Sequence, residues 1–85
     1  MAKVIIYGTQ WCGYCQSAER LLQRKGVTDI AKIDVDQDQT AFKAMTERTG
    51  RRMVPQIFIG DLHVGGFDDL SAMDRSGQLD NLLQQ

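Results

Sequence analysis

The sequence predicts an α/β fold in which a four-stranded mixed β-sheet is flanked by helices. In the first half of the chain, an apolar run, an amphipathic segment without proline and an alternating segment follow one another, which is the order of a parallel βαβ unit. In the second half, two short apolar runs flank Gly60-Asp61, a pair typical of a tight hairpin between antiparallel strands. A chain of 85 residues suffices for one hydrophobic core, so we expect a single domain over residues 1–85.

The first half supplies two predicted strands and one predicted helix. Residues 4–7 form a continuous apolar run, which is typical of a central strand covered on both faces. A helix is predicted from about Gly13 to Lys25, because apolar residues recur there at helical spacing and Gly26 follows as a cap. Residues 31–36 alternate between apolar and polar side chains, so we place this strand at or near a sheet edge.

The second half supplies two strands and three helices. Residues 38–49 predict a helix with a thin apolar stripe, and the hairpin strands are predicted over residues 57–59 and 62–64. A further helix is predicted over residues 68–75, capped by its first two residues, which are both aspartates. Three leucines near the end of the chain predict a last short amphipathic helix that packs on the core: Leu79, Leu82 and Leu83.

The composition excludes two classes of function. The formal net charge is -1 with acidic and basic residues mixed, and no basic run or aromatic-basic stripe suits nucleic acid. No apolar stretch approaches the roughly 18 residues that cross a bilayer, so membrane spanning is also excluded. Residues 1–7 are too short an apolar segment for the hydrophobic region of a signal peptide, and we therefore expect the protein in the cytoplasm.

The chemistry is expected at Cys12-Gly13-Tyr14-Cys15, between a predicted strand and a predicted helix, where a C-x-x-C motif indicates thiol redox function. Cysteines three residues apart in a first helical turn lie close enough to form a disulfide. The unpaired N–H groups and positive dipole of the helix start stabilise a thiolate on Cys12, which we predict to be the nucleophile. Cys15 is predicted to be more buried and less ionised, and to resolve a mixed disulfide held by Cys12.

Two other interpretations of the cysteine pair are a structural zinc site and a pair of thiols without function. A closed zinc site usually takes four Cys or His ligands, and the chain offers only Cys12, Cys15 and His63. We therefore predict no metal held by a single chain. Idle thiols do not account for the position of the motif at a strand-to-helix junction.

Three blocks of sequence resemble one known family in the same order: residues 12–15 (CGYC), 49–60 (TGRRMVPQIFIG) and 64–70 (VGGFDDL). With them the chain resembles the glutaredoxins, most closely the small bacterial dithiol type, over nearly its whole length. The resemblance implies a thioredoxin-like fold and a glutathione-dependent thiol-disulfide oxidoreductase that reduces protein disulfides and glutathione mixed disulfides. Its implied partners are glutathione and disulfide-containing or glutathionylated client proteins, and its implied state is a monomer. A secondary resemblance to thioredoxin rests on Trp11-Cys12-Gly13 alone.

The resemblance also implies a glutathione-binding set. Pro55 stands where the family has a cis-proline, and the backbone of Val54 would pair with the cysteinyl part of glutathione like an added strand. The helix start at Asp68 and Asp69 would hold the γ-glutamyl carboxylate on its N–H groups, while the Asp69 side chain takes the ammonium. The full implied set is Tyr14, Arg52, Met53, Val54, Pro55, Gly66, Asp68 and Asp69.

Departures from the family pattern leave a second function open. Thr9 stands where the family usually has a lysine, Met53 replaces a threonine, and Phe42 stands where a cation or amide is common, so Lys43 or Arg52 would receive the second carboxylate of glutathione. Gly13 replaces the family's common proline. Relatives with a small residue there include proteins that hold a [2Fe-2S] cluster between two chains. The alternative is therefore a dimer with a glutathione-ligated [2Fe-2S] cluster on Cys12, acting as an iron-sulfur carrier or sensor.

Overall fold

The structure of the chain, a computed structural model, describes residues 2–85 and contains the four-stranded mixed sheet that the sequence predicts. The strands are β1 (Val4–Gly8), β2 (Ile30–Asp34), β3 (Gln56–Ile59) and β4 (Leu62–Gly65), in the sheet order β2-β1-β3-β4. β1 pairs with β2 in parallel and with β3 in antiparallel orientation, and β3 and β4 form the hairpin. The apolar run of β1 is thus a central strand, and the alternating strand β2 lies at an edge, as predicted.

The helices are α1 (Gly13–Arg24), α2 (Gln39–Thr49), α3 (Phe67–Ser76) and α4 (Gln78–Leu83). They cover the sheet on two faces, which explains the unbroken apolar runs of the central strands. One core joins α1, α3 and α4 to the sheet, and it contains Val4, Ile6, Ile57 and Ile59 from the strands. A smaller core on the other face joins Met45 of α2 to Tyr7, Val35 and Phe58. None of the helices within residues 2–85 is long and apolar enough to cross a bilayer.

Most element bounds differ from the prediction by a residue, and at the end of β2 and the start of α3 the difference has a local reason. The second strand ends at Asp34 instead of residue 36, because the Asp34 carboxylate accepts the N–H groups of Asp36 (2.7 Å) and Gln37 (3.2 Å) and turns the chain. The third helix begins at Phe67 with Gly66 as its N-cap, not at an aspartate cap. Asp69 lies three residues inside the cap, where its carboxylate accepts the Gly66 N–H at 2.9 Å.

Candidate active site

Cys12 occupies the N-cap position of α1, directly after the loop that leaves the carboxyl end of β1. Its backbone is extended, and its Sγ accepts a hydrogen bond from the Cys15 N–H at 3.1 Å, as a capping serine oxygen would. Cys12 as a residue is partly exposed. An anion at this position is stabilised by the free N–H groups of the first helical turn and by the helix dipole. The geometry suits an accessible thiolate nucleophile.

Cys15 lies one turn further along α1, and the two cysteines are free thiols in this structure. Its side chain is buried, with 9% of its surface exposed. Burial, followed by the hydrogen bond with Cys12, raises the pKa of the Cys15 thiol to about 12. Beneath it, a Cβ on Gly8 would lie 2.8 Å from the Cys15 Sγ, so the close approach of β1 to this thiol requires glycine. The pair therefore combines one accessible sulfur with one buried, protonated sulfur.

A groove of about 300 Å³ begins beside the cysteine motif at Tyr14 and reaches the start of α3. Its walls come from the start of α1, from the segment before β3 and from the first turn of α3. Of the eight residues implied by the resemblance, all except Arg52 line this groove. The lining residues are Tyr14, Arg51, Met53, Val54, Pro55, Gln56, Gly66, Phe67, Asp68 and Asp69. The Val54-Pro55 peptide bond is cis.

The far end of the groove is built by the N-terminus of α3. The first N–H that bonds within this helix is that of Leu70, which donates to the Gly66 carbonyl at 3.1 Å, so the N–H groups before it are available to an anion. Gly65 has a positive φ of 116°, and a Cβ there would collide with the Asp69 carboxylate. Glycine at residue 65 thus lets Asp69 fold back over the chain.

The Asp69 carboxylate is the most strongly held charge of the groove. It accepts the Gly66 N–H and lies 3.2 Å from Nη1 of Arg51. The Gly66 hydrogen bond, and then the Arg51 guanidinium, hold the pKa of Asp69 below its ordinary value. Asp69 is therefore ionised wherever a free aspartate would be, and it faces the groove beside a cation. The groove carries both signs of charge at one end.

Comparison with known proteins decides the family. A family model described as glutaredoxin matches residues 4–64. The chain belongs to the glutaredoxin family. The glutaredoxin of Pseudomonas aeruginosa is 49% identical over 83 residues, covering 98% of each chain, and glutaredoxin 3 of Escherichia coli is 45% identical over 84 residues, covering 99% of this chain and all of that protein. Family membership makes this glutaredoxin a thiol-disulfide oxidoreductase.

Solved structures agree with the family. The solution structure of glutaredoxin from Brucella melitensis superposes with a TM-score of 0.83 at 48% identity, covering 98% of this chain and 89% of that one. The crystal structure of a buckwheat glutaredoxin-glutathione complex superposes with a TM-score of 0.88 at 30% identity, covering 98% and 77%. The thioredoxin-like fold that the resemblance implies is thereby confirmed.

Arg52 is the one implied site residue that does not line the groove of this glutaredoxin. Its guanidinium lies 5.5 Å from the ring centroid of Phe42, on the side of α2. The neighbouring Arg51 lines the groove instead and pairs with Asp69. Two adjacent arginines alternate in direction, and the sequence alone does not tell which of them points at the groove.

Three side chains support the groove in ways that the sequence did not reveal: Phe67, Gln56 and His63. Phe67 stacks on Tyr14 with ring centroids 6.0 Å apart, joining the starts of α3 and α1. Gln56 is 1% exposed; its Nε2 donates to the Met53 carbonyl at 2.9 Å and its Oε1 lies 2.7 Å from Nε2 of His63. His63 is partly buried against Phe58. Through these two side-chain contacts, Gln56 links the groove wall at Met53 to His63 on β4.

No three ligand-type side chains of residues 2–85 lie close enough together to hold a metal ion. Cys12 and Cys15 have no His, Asp or Glu completing a set around them within that part of the chain. A closed zinc site on one chain is therefore not formed by these residues. A bridging [2Fe-2S] cluster is a different case, since it would take only Cys12 from each of two chains.

Proposed function

We propose that the protein is a glutathione-dependent oxidoreductase that reduces protein disulfides and glutathione mixed disulfides. The observation that carries the proposal is the accessible Cys12 sulfur at a helix start, beside a buried thiol and a groove that ends in a second helix start. We propose the cytoplasm as its compartment, where thiols are kept reduced, and a monomer as its working state. Its clients are disulfide-containing or glutathionylated proteins.

The proposed reaction begins when the Cys12 thiolate attacks one sulfur of the substrate disulfide. The S–S bond breaks, one thiolate leaves, and Cys12 holds the other sulfur as a mixed disulfide. If the held group is glutathione, the thiolate of a second glutathione attacks its sulfur, which gives glutathione disulfide and regenerates Cys12. If the held group is a client protein, Cys15 attacks Cys12, which releases the client thiol and forms the Cys12–Cys15 disulfide. Two glutathiones then reduce that disulfide.

Glutathione is proposed to lie in the groove with its cysteinyl sulfur at Cys12. The backbone of Val54, beside the cis Pro55, pairs with its cysteinyl part, while Tyr14 and Met53 flank it with apolar surface. The glycyl carboxylate would extend beyond the groove to Lys43 or Arg52, the two cations near Phe42. The buckwheat relative, described as a glutaredoxin-glutathione complex, supports glutathione as the ligand class.

The γ-glutamyl end of glutathione carries one carboxylate and one ammonium, and the start of α3 offers a partner for each. The N–H groups after Gly66, including that of Asp68, would bind the carboxylate. The Asp69 carboxylate would bind the ammonium. Arg51, already 3.2 Å from Asp69, would keep that carboxylate aimed into the groove.

Asp69→Asn tests this assignment against Asp68→Asn. The asparagine oxygen at residue 69 can still accept the Gly66 N–H, so the helix cap survives while the charge that binds the ammonium is lost. We expect the KM for a glutathione mixed disulfide to rise about 5- to 30-fold, the equivalent of one charge-assisted hydrogen bond of about 1 to 2 kcal/mol, with a smaller change in kcat. Steady-state kinetics with a glutathionylated peptide measure both constants.

The control, Asp68→Asn, removes the same charge from the same helical turn but leaves the Gly66 and Arg51 contacts of Asp69 in place. We expect its KM to stay within about twofold of the wild type, as for an exposed charge without a direct partner. Equal increases in both variants would mean that general charge at the helix start matters and that Asp69 makes no specific contact.

The second candidate function is the cluster-bridged dimer. The observation that favours it is the open space beside Cys12, since a Cβ on Gly13 would meet no atom within 4 Å apart from its chain neighbours and the backbone of its own helix. Two chains could therefore approach through their α1 starts, with each Cys12 and one glutathione per chain as ligands. Anaerobic purification with glutathione, followed by visible absorbance and sizing, tests it. A colourless monomer argues against the dimer.

A further inference from the structure

A second cavity, of about 360 Å³, lies behind the cysteine pair between α1 and β2, on a different surface from the glutathione groove. Cys15 is a lining residue of this cavity, and Cys12 is not. The cavity volume is more than ten times the roughly 30 Å³ that one water occupies in the liquid, so it admits several waters. We call it the rear cavity; it is lined by Ile6, Gly8, Thr9, Gln10, Cys15, Gln16, Glu19, Lys32, Ile33 and Asp34.

The rear cavity places a carboxylate one helical turn from the buried thiol. Glu19 follows Cys15 by four residues on α1, and side chains at that spacing are neighbours on one face of a helix. The Glu19 side chain is 25% exposed, and its Oε2 lies 3.2 Å from Nζ of Lys32 on β2. This ion pair joins α1 to β2 at the cavity wall.

The remaining charged groups of the rear cavity are few. Lys32 and Asp34 come from β2, Glu19 comes from α1, and β1 and the following loop contribute only uncharged residues. The Asp34 carboxylate already accepts two backbone N–H groups, from Asp36 and Gln37. Glu19 is thus the carboxylate of this cavity that shares a helix face with Cys15.

The chemistry of the second cysteine requires a proton acceptor. Cys15 can attack a mixed disulfide on Cys12 only as a thiolate, yet its burial keeps it protonated at neutral pH. In the free enzyme its pKa is about 12, chiefly through burial, and the burial remains when Cys12 is in a mixed disulfide, so spontaneous ionisation supplies very little thiolate. The Cys12 face is occupied by the client at this stage, whereas the rear cavity stays open to water.

We propose that Glu19 accepts the Cys15 proton through water in the rear cavity when Cys15 attacks the mixed disulfide. The Cys15 S–H bond breaks and its proton passes through water to the Glu19 carboxylate. The Cys15 sulfur bonds to the Cys12 sulfur and is oxidised, and the bond from Cys12 to the client sulfur breaks, so the client leaves as a reduced thiolate. This inference rests on the proposed role of Cys15 as the resolving cysteine.

The test isolates the Cys15 step in a single turnover without glutathione. Reduced protein is mixed with excess symmetric disulfide of 5-thio-2-nitrobenzoate, so that Cys12 forms a mixed disulfide and frees a first coloured thiolate. Release of the second coloured thiolate, which the Cys15 attack produces, is then followed by stopped flow between pH 6 and 9. The leaving thiol is acidic, so its departure is fast and removal of the Cys15 proton limits the rate. For Glu19→Gln we expect release at pH 7 to slow at least about tenfold, less than the roughly 10²- to 10⁴-fold of direct general-base catalysis because water intervenes.

The pH profile separates a proton acceptor from a structural residue. In Glu19→Gln the rate should rise with pH, because hydroxide replaces the missing base, and the deficit against the wild type should shrink toward pH 9. Lys32→Gln breaks the same ion pair but keeps the carboxylate, and Asp34→Asn removes the other carboxylate of the rear cavity. Both should stay within about threefold of the wild type, while alkylation of reduced Cys12 should be unchanged in all variants.

Two results overturn the inference: equal release rates for Glu19→Gln and wild type across the pH range, or equal slowing by Glu19→Gln and Lys32→Gln. Cys15→Ser separates this failure from a failure of the proposed function. If Cys15→Ser releases the second coloured thiolate as fast as the wild type, Cys15 is not the resolving cysteine, and its proposed role falls together with that of Glu19. If only Cys15→Ser blocks release, the Cys15 role stands and Glu19 has no part in it.

Discussion

A Cys12→Ser variant is expected to lose at least about 10³-fold of its activity on both glutathione mixed disulfides and protein disulfides, because a serine hydroxyl supplies no thiolate at neutral pH. The loss should come without a loss of fold. Serine is a preferred N-cap residue, and its oxygen can accept the Cys15 N–H that Sγ accepts at 3.1 Å in the wild type. Glutathione-coupled turnover with the two substrate types measures the activity, and thermal unfolding checks the fold.

The thermal-unfolding control distinguishes loss of the Cys12 sulfur from loss of the fold. A midpoint within a few degrees of the wild type, together with absent turnover, assigns the loss to the missing sulfur. Activity on either substrate above about a hundredth of the wild-type value would mean that Cys15 can start the reaction alone. The structure argues against that outcome, since Cys15 is buried and its pKa is about 12.

A Cys15→Ser variant is expected to keep reduction of glutathione mixed disulfides and to lose reduction of protein disulfides. Reduction of a glutathione mixed disulfide needs one protein thiol, so it should stay within about threefold of the wild type. Reduction of a protein disulfide should fall at least about 10²-fold, because the client stays attached to Cys12 without a neighbouring thiol to release it. The measurements are turnover of a glutathionylated peptide and turnover of a protein containing one accessible disulfide.

Trapping of the client provides the control for the Cys15 variant. Non-reducing electrophoresis should reveal a disulfide-linked adduct of client and variant that is absent from the wild-type reaction. Equal loss of both activities, or full retention of both, would contradict the division of labour between the two cysteines. Full retention would mean that glutathione alone releases the client from Cys12.

The fold was predictable from sequence where local pattern and tertiary packing agree. The apolar run of β1 and the Gly60-Asp61 turn lie where the pattern places them, because a strand buried on both faces and a two-residue hairpin leave few alternatives. The boundaries of β2 and α3 were wrong because side chains decided them. The Asp34 carboxylate accepts two backbone N–H groups and ends β2, although the alternation of apolar and polar residues continues beyond it.

The sequence predicted which residues form the candidate site, but it did not predict which way each side chain points. The motif at residues 12–15 and the glycines before α3 identify which segments meet. The choice between Arg51 and Arg52, by contrast, depends on the backbone between Gly50 and the cis Pro55, which no local pattern reports. The rear cavity was also not predictable, because Lys32 reaches Glu19 across the gap between β2 and α1.

Glutathione is proposed to donate the electrons, and a comparison of electron donors is the sharpest test of that role. Wild-type protein is supplied with a glutathionylated peptide and NADPH, either with glutathione and glutathione reductase or with a thioredoxin reductase and no glutathione. We expect rapid NADPH oxidation with the glutathione system, at a rate that saturates with glutathione, and a rate at least about tenfold lower with thioredoxin reductase. Faster turnover with thioredoxin reductase, or no dependence on glutathione, would contradict it.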